Sequence, residues 1–530
     1  MPEYLSPGVY INEVASGTRP IEGVGTAMAA FVGFAPAGPA NTPTLITNWS
    51  QYVDTFGAVE ENGRRNPHMA DGFMSHAVYG YFLIGGGRCY VDRVVVDGDG
   101  AAAAKSGAGK VGAAKPKLQL PGRSPKALAS IEITPKEPAA GEIQITVAPP
   151  TSDDQPEGTF TLGAKRAEIE ETYENVTLAR RGGRNVVETV NQASRLIMLA
   201  ELQTPGSLAE RTPTLGSYTL KPTTETSTSM TAPVRPAHFV GDISTRTGLE
   251  GLEVAEDATM ICCPDLMSAY KSGTIDRDGV KAVQLAMIAH CERMGDRMAI
   301  LDPLPDLSPQ EAKKWRERET NYDSKYAAMY YPWISVAGPD GRPIDVPPSG
   351  HLAGIYARND NERGVHKAPA NEVIRGALTP VSQVTKGEQD VLNPVGVNCI
   401  RSFTGRGVRV WGARTLSSDP QWRYINVRRL FNYVEESIEQ GTQWVVFEPN
   451  DADLWARVRR DVGAFLTGVW RDGMLFGSTP AEAFFVKCDA ENNPEDVRDR
   501  GQLVIDVGLA PVKPAEFVIF RFTQFAGGGA

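Results

Sequence analysis

A chain of 530 residues, 41% apolar and 22% charged, has room for roughly two to four domains with sizeable cores. Its 64 acidic and 54 basic residues give a net charge of −10, and no basic tail or arginine-rich tract is present, which argues against a nucleic-acid partner. No apolar run reaches membrane-spanning length and no basic start precedes an apolar stretch. Direct membrane insertion is therefore not expected, and the chain is expected to fold in the cytoplasm.

The first strand signal is Val9, Tyr10 and Ile11 in YLSPGVYINEV, β-formers raised off a Ser-Pro-Gly turn. SGTRPIEGVG follows, rich in glycine and without a hairpin signal. Residues 1–25 thus read as a lone strand arm with a hinge, and a lone strand cannot satisfy its own backbone groups. TAMAAFVGFA is a buried strand. MADGFMSHAVYGYFLIGGG sets Met69, Phe73, Ala77 and Tyr81 four residues apart, a helix stopped by glycines. CYVDRVVV is another strand.

DGDGAAAAKSGAGKVGAAKPK and TPTLGSYTLKPTTETSTSMTAPVRPA have no apolar period and bracket an inserted, β-rich outer domain, residues 97–236. Inside it, IEITPKEPAAGEIQITVAP and GTFTL alternate like strands, and RNVVETVNQASRLIMLAEL reads as a helix. From residue 237 the strand–helix alternation returns. DATMICC and MAILDPL are strands around a helix with Val280, Val283, Met287, Ile288, Cys291 and Met294 on one face. Ser308 to Glu311 is a capping box with proline at the first helical position, opening QEAKKWRERET. YAAMYYPWISV reads as one further strand. Residues 26–96 with 237–350 therefore form an α/β domain on a largely parallel sheet, and the fold class is mixed α/β.

Catalytic signatures do not hold. There is no GxSxG elbow. GAGK at 107–110 is followed by Val111 where a phosphate loop needs Ser or Thr. DGDG at 97–100 lacks the later ligands of a calcium loop. The six cysteines (Cys89, Cys262, Cys263, Cys291, Cys399, Cys488) are scattered, which fits buried reduced thiols. Cys262 and Cys263, with His290 and Cys291, raise the thought of a metal, but adjacent strand residues point to opposite faces. The densest polar cluster is ARNDNERGVHKAPAN, with Asp360, Arg363, His366, Lys367 and Asn371. It is either an acid–base site or a loop pinned by its own hydrogen bonds. No catalytic, cofactor or metal site is assigned.

PPSGHLAGIYARNDNERGVHKAPAN resembles the hallmark segment of contractile tail sheath proteins, found in phages and phage-tail-like injection systems. The resemblance continues through LNPVGVNCIRSFTGRGVRVWGARTLSSDPQWRYINVRRLFNYVEESI, WVVFEPNDADLWARVR, STPAEAFFVKCDAENN and APVKPAEFVIFRFTQ. The opening YLSPGVYINEV, FVGFAPAGP and GDISTRTGLEGLE are similar to that family too, and the insert is the least recognisable part.

The resemblance implies a C-terminal sheath domain over 351–511 and a C-terminal strand arm over 512–530. It implies a structural protein that polymerises helically around an inner tube and contracts to drive that tube through an envelope. In such proteins both arms leave their subunit and add strands to a neighbour. Here Val9, Tyr10 and Ile11 supply one strand, and Phe517, Val518, Ile519, Phe520, Arg521 and Phe522 the other. The alternative is that the two ends pair within one subunit. The implied partners are further copies of the chain, an inner tube protein, a baseplate and terminator or cap proteins. In this family a helix of the C-terminal domain grips the tube, often by complementary charge. The helix within EPNDADLWARVRRDVGAFLTGVWRDG is the candidate, capped by Asn450 and presenting Arg457, Arg460 and Arg471 beside an apolar stripe. The alternative is a solvated face paired locally to Asp461 and Asp472. A phage-tail-like injection particle assembled in the cytoplasm is the first reading, with release on lysis left open. A contractile phage tail comes second and a cytosolic α/β enzyme near Asp360 and His366 third.

Overall fold

The structure, a computed structural model, describes residues 21–60, 63–95, 118–123, 129–136, 143–151, 156, 158–166, 169–179, 184–202, 207–220 and 234–521. Val9, Tyr10, Ile11 and Phe522 lie outside the described residues, as do the first low-complexity tract and residues 221–233 of the second. The second tract, expected to be a linker, instead carries a strand near its start, Gly216–Leu220, paired with Ile143–Ala148.

An eight-stranded sheet organises the α/β body, and it takes in Val397–Phe403 and Gly407–Val410, beyond the boundary expected at residue 350, because Val397–Phe403 pairs directly with Ala327–Tyr331. Its strands are β1 (Ala29–Gly33), β2 (Thr44–Ile46), β3 (Cys89–Arg93), β4 (Met260–Cys262), β5 (Met298–Leu301), β6 (Ala327–Tyr331), β7 (Val397–Phe403) and β8 (Gly407–Val410). Their order is β2-β3-β1-β4-β5-β6-β7-β8, parallel throughout except for the antiparallel edge strands β2 and β8. Both faces are covered, which is why these strands read as unbroken apolar runs. Ala29, Phe31, Cys262 and Ile300 join the core on one face, while Ala30, Val32, Ile261 and Leu301 join the core on the other. Cys262 and Cys263 do face opposite ways, and all six thiols are buried and free.

Helices α1 (Met74–Ile84) and α3 (Ser349–Arg363) pack together on one face, and α2 (Arg277–Met294) covers the other. The contact between α1 and α3 is close because Gly350 rests on Ala77, where a side chain would overlap the α1 backbone. The helix expected to include Met69 and Phe73 starts only at Met74. Its start is fixed from 191 residues away: Asp265, just after β4, accepts from the N–H groups of Phe73 and Met74 and, at 2.6 Å, of Phe34. A buried carboxylate thus caps the first turn. The single strand expected at YAAMYYPWISV is two. Pro332 cannot donate to a ladder, and Ile334–Ala337 joins a separate antiparallel sheet with Pro343–Val346 and Ala377–Pro380. The Ser308–Glu311 capping box is formed as expected.

Within the insert, a five-stranded and a three-stranded sheet enclose an apolar core of their own, including Ile131, Ile145, Phe160, Leu162 and Ile197. The helix expected over RNVVETVNQASRLIMLAEL stops at Ala193, and Ile197–Glu201 is a strand. The Ser194 hydroxyl accepts from the N–H groups of Leu196 and Ile197 and turns the chain there.

The C-terminal body is built from α4 (Ile425–Thr442), α5 (Ala452–Arg471) and the antiparallel pair β9 (Phe484–Lys487) and β10 (Asp506–Leu509). Leu454, Val458, Val462, Leu466 and Val469 of α5 are buried against Leu430 and Val434 of α4, so the expected apolar stripe faces the core. The cap of α5 is Asp451, whose carboxylate accepts from the Leu454 N–H at 2.9 Å; Asn450 instead accepts from the Trp455 indole. Among the described residues, no helix is long and apolar enough to cross a membrane.

Candidate functional site

The polar cluster at the end of α3 is a lock between bodies. Asp360 and Arg429 of α4 form a two-pronged ion pair, Nη1 to Oδ1 at 2.9 Å and Nη2 to Oδ2 at 2.6 Å. The side chains are only 2% and 3% exposed. Arg429 also donates to the Thr26 carbonyl at 2.9 Å and lies 4.7 Å from the centre of the Tyr356 ring. One guanidinium therefore ties α3, α4 and the segment leading into β1.

The other members of the cluster are also held in place. Lys367 pairs with Glu372 at 2.6 Å, and Arg358 reaches the same carboxylate at 3.1 Å. Asn371 accepts from Arg406 and Arg409, and Arg363 is exposed. The His366 carbonyl accepts from Asn426 at 2.7 Å, and burial, aided by the Arg363 charge, holds its imidazole below the usual range. Nor does His290 join a metal site, because its ring nitrogens lie 3.1 and 3.4 Å from the guanidinium groups of Arg293 and Arg297. Two cations at that range repel a third. Arg429 went unnoticed in the sequence because nothing local marks a partner 69 residues away.

The segments next to the two chain ends are rooted on α4. Ile21 is buried in the C-terminal core, the Val24 N–H donates to Ser437 at 3.1 Å, and Gly23 lies against the Tyr433 ring, which a side chain there would displace. Within the expected hinge, Ile21 is buried and Val24 is bonded to Ser437, while Glu22, Gly23 and Gly25 are exposed. At the other end, Asn426 at the start of α4 donates to the Val512 carbonyl at 3.1 Å. Beyond Glu516, Phe517, Val518, Ile519 and Phe520 are 70–79% exposed, Arg521 is exposed, and among the described residues 512–521 form no strand. A groove of about 310 Å³ lies between α4 and β10, lined by Phe431, Val434, Ile438, Val507 and Leu509 together with Glu435 and Glu439.

On α5, Arg460 is exposed and pairs at 3.0 Å with its neighbour Asp461, as the solvated alternative expects. Arg457 pairs with Glu448 at 3.2 Å and lies 5.4 Å from the Trp444 ring centre. Arg471 is exposed in the last turn. All three lie off the buried stripe.

Comparison with known proteins gives these features a setting. A tail sheath protein of Vibrio phage KVP40 is 29% identical over 182 residues, 33% of this chain and 26% of that protein. That of Escherichia phage P2 is 28% identical over 286 residues, 52% of this chain and 66% of that protein. The chain thus spans about a quarter to two thirds of the length of these curated relatives. The helical sheath of the anti-feeding prophage in its contracted state superposes with a TM-score of 0.58 at 26% identity, covering 98% of this chain and 99% of that one. The phage tail sheath protein central domain matches residues 248–416 and the phage tail sheath C-terminal domain matches residues 417–525. These two matches adjoin and take in more than half of the chain, which belongs to the phage tail sheath protein family.

Proposed function

We propose that this protein is the subunit of a contractile sheath that polymerises helically around an inner tube and drives the tube through a target envelope. The carrying observation is the end-to-end likeness to the anti-feeding prophage sheath, 98% of one chain on 99% of the other. That coverage favours a phage-tail-like injection particle, assembled in the cytoplasm with tube, baseplate and cap proteins. The phage relatives support a phage tail as the second reading, through matches to a third to a half of the chain. The protein works as a structural part and not as an enzyme, in keeping with the ion-paired state of Asp360 and Lys367.

Both arms act by strand donation. Phe517, Val518 and Ile519 are 70–79% exposed, and β9–β10, packed on the helical core through Phe484, Val486, Val507 and Leu509, is a two-stranded sheet to which a further strand can be added. Head-to-tail contacts whose rotation does not close build a helix. The purified protein should form striated tubes visible in negative stain; a strictly monomeric protein at high concentration would count against the proposal.

The arginine face of α5 is the proposed grip on the tube. Exposed ion pairs contribute about 1 kcal/mol or less each, and many copies in register make a hold that still releases when the sheath widens. Arg457→Glu with Arg460→Glu should leave sheath polymerisation intact and stop co-assembly with tubes. In the wild type, added salt should weaken that binding. Co-sedimentation with tubes at two salt concentrations measures both, and wild-type binding by the double variant would place the grip elsewhere.

We further propose that the insert expected over residues 97–236 is a separable outer domain, resting on its self-contained core; Val234, near its end, belongs to the main core and stays with it. Excising residues 100–230 with a short linker should preserve tube formation. An insoluble product, or one with disrupted circular dichroism, would make the insert part of the main core.

A further inference from the structure

Glu516 is the last residue of the C-terminal segment before the four exposed apolar side chains, and it is held by four hydrogen bonds. Arg414 donates from Nε at 2.8 Å and Nη2 at 2.7 Å, Asn393 from its amide at 2.7 Å, and Tyr424 from its hydroxyl at 2.9 Å. Arg414 is 11% exposed at its side chain and Glu516 18%, so water competes weakly for either. The donors come from three places: the turn after the helix Lys386–Leu392, the loop after β8, and the residue preceding α4. Arg414 is itself fixed to the central sheet. Its N–H donates to the Asn398 side chain at 2.7 Å, and the Asn398 amide donates to the carbonyls of Arg414 at 2.8 Å and Met329 at 3.1 Å. Asn398 lies on β7 and Met329 on β6.

We propose that this clasp is the positioning device of the C-terminal arm: it fixes where the donated strand begins and passes load from the strand into the central sheet. The inference rests on the strand-donation reading above. A flexible tether would leave the donated strand free to slide by one residue, which would exchange the Phe517 and Ile519 face for the Val518 and Phe520 face. A two-pronged, partly buried carboxylate–guanidinium pair with two further donors removes that freedom before binding. Less entropy is then lost when the arm docks. The hydrogen-bond path from Glu516 through Arg414 and Asn398 to β6 and β7 also means that tension on the arm is met by the eight-stranded sheet, which is covered on both faces. This separates two functions in consecutive residues, with position set at Glu516 and pairing supplied from Phe517 onward.

Full-length variants test this by the critical concentration for tube formation, with monomer thermal unfolding measured alongside. Glu516→Gln and Arg414→Met should each raise the critical concentration by at least about ten-fold, the size of one lost charged hydrogen-bonded pair. Because both remove the same clasp, the double variant should be no worse than the poorer single. Ile519→Pro, which removes a strand donor in an exposed stretch, should abolish tubes. If Glu516→Gln assembles at the wild-type concentration while Ile519→Pro fails, the clasp role is wrong and strand donation stands. If Ile519→Pro assembles as wild type, strand donation by this arm falls, and the clasp role with it. If the thermal midpoint of Glu516→Gln drops enough to account for the whole assembly defect, the clasp merely stabilises the monomer and the proposal is overturned.

Discussion

Asp360→Ala is expected to destabilise the folded subunit by about 3–5 kcal/mol, the cost of leaving a buried charge without its partner. Arg429 is 3% exposed at its side chain, so little bulk water is at hand to replace the lost carboxylate. The Thr26 carbonyl and the Tyr356 ring remain, but neither carries a full negative charge. Such a loss is a large share of the roughly 5–15 kcal/mol that holds an ordinary domain folded. The thermal midpoint should fall by roughly 10 °C. Asp360→Asn should behave similarly, since it keeps the shape and removes the charge. Asp360→Leu combined with Arg429→Met should recover part of the loss, because no unpaired charge is then buried. The lock joins α3, α4 and the segment entering β1, so the C-terminal body should come apart from the α/β body at a lower temperature than in the wild type. An Asp360→Ala protein with the wild-type midpoint would show that Arg429 is neutralised some other way.

Removal of residues 1–15 is expected to leave a folded monomer that forms no tubes. The deletion spares the described root of this end, in which Ile21 is buried and Val24 donates to Ser437. Thermal stability should therefore change little. If the donated strand makes roughly six backbone hydrogen bonds at about 1 kcal/mol net each, its loss weakens each linkage by about four orders of magnitude. Every subunit in the lattice loses that linkage at once, and multivalent assembly depends on several linkages per subunit. Electron microscopy of the truncated protein under conditions where the wild type assembles is the measurement. Ordered tubes from the truncated chain would remove the N-terminal strand from the assembly mechanism.

What the sequence determined by itself is what neighbouring residues encode. The unbroken apolar runs of AAFVG and MAIL fixed strands buried on both faces, and the spacing of Leu454, Val458, Val462 and Val469 fixed the buried side of α5. Ser308 and Glu311, three residues apart, fixed a helix start. The run Phe517 to Phe520 was legible as apolar, and in the structure it is exposed and outside any strand. Only the tertiary structure decided the partners of charged and capping groups. Asp265 sets the start of α1 from 191 residues away, Arg429 meets Asp360 across 69, and Glu516 meets Arg414 across 102. A local pattern reports whether a side chain is wet or dry and which turn it caps. It does not report which distant donor will satisfy a carboxylate, because that choice is made by the packing of whole elements. The same limit misplaced the end of the helix before Ser194, where a short apolar run suits helix or strand equally until the neighbouring strand Ala129–Pro135 is there to pair with it.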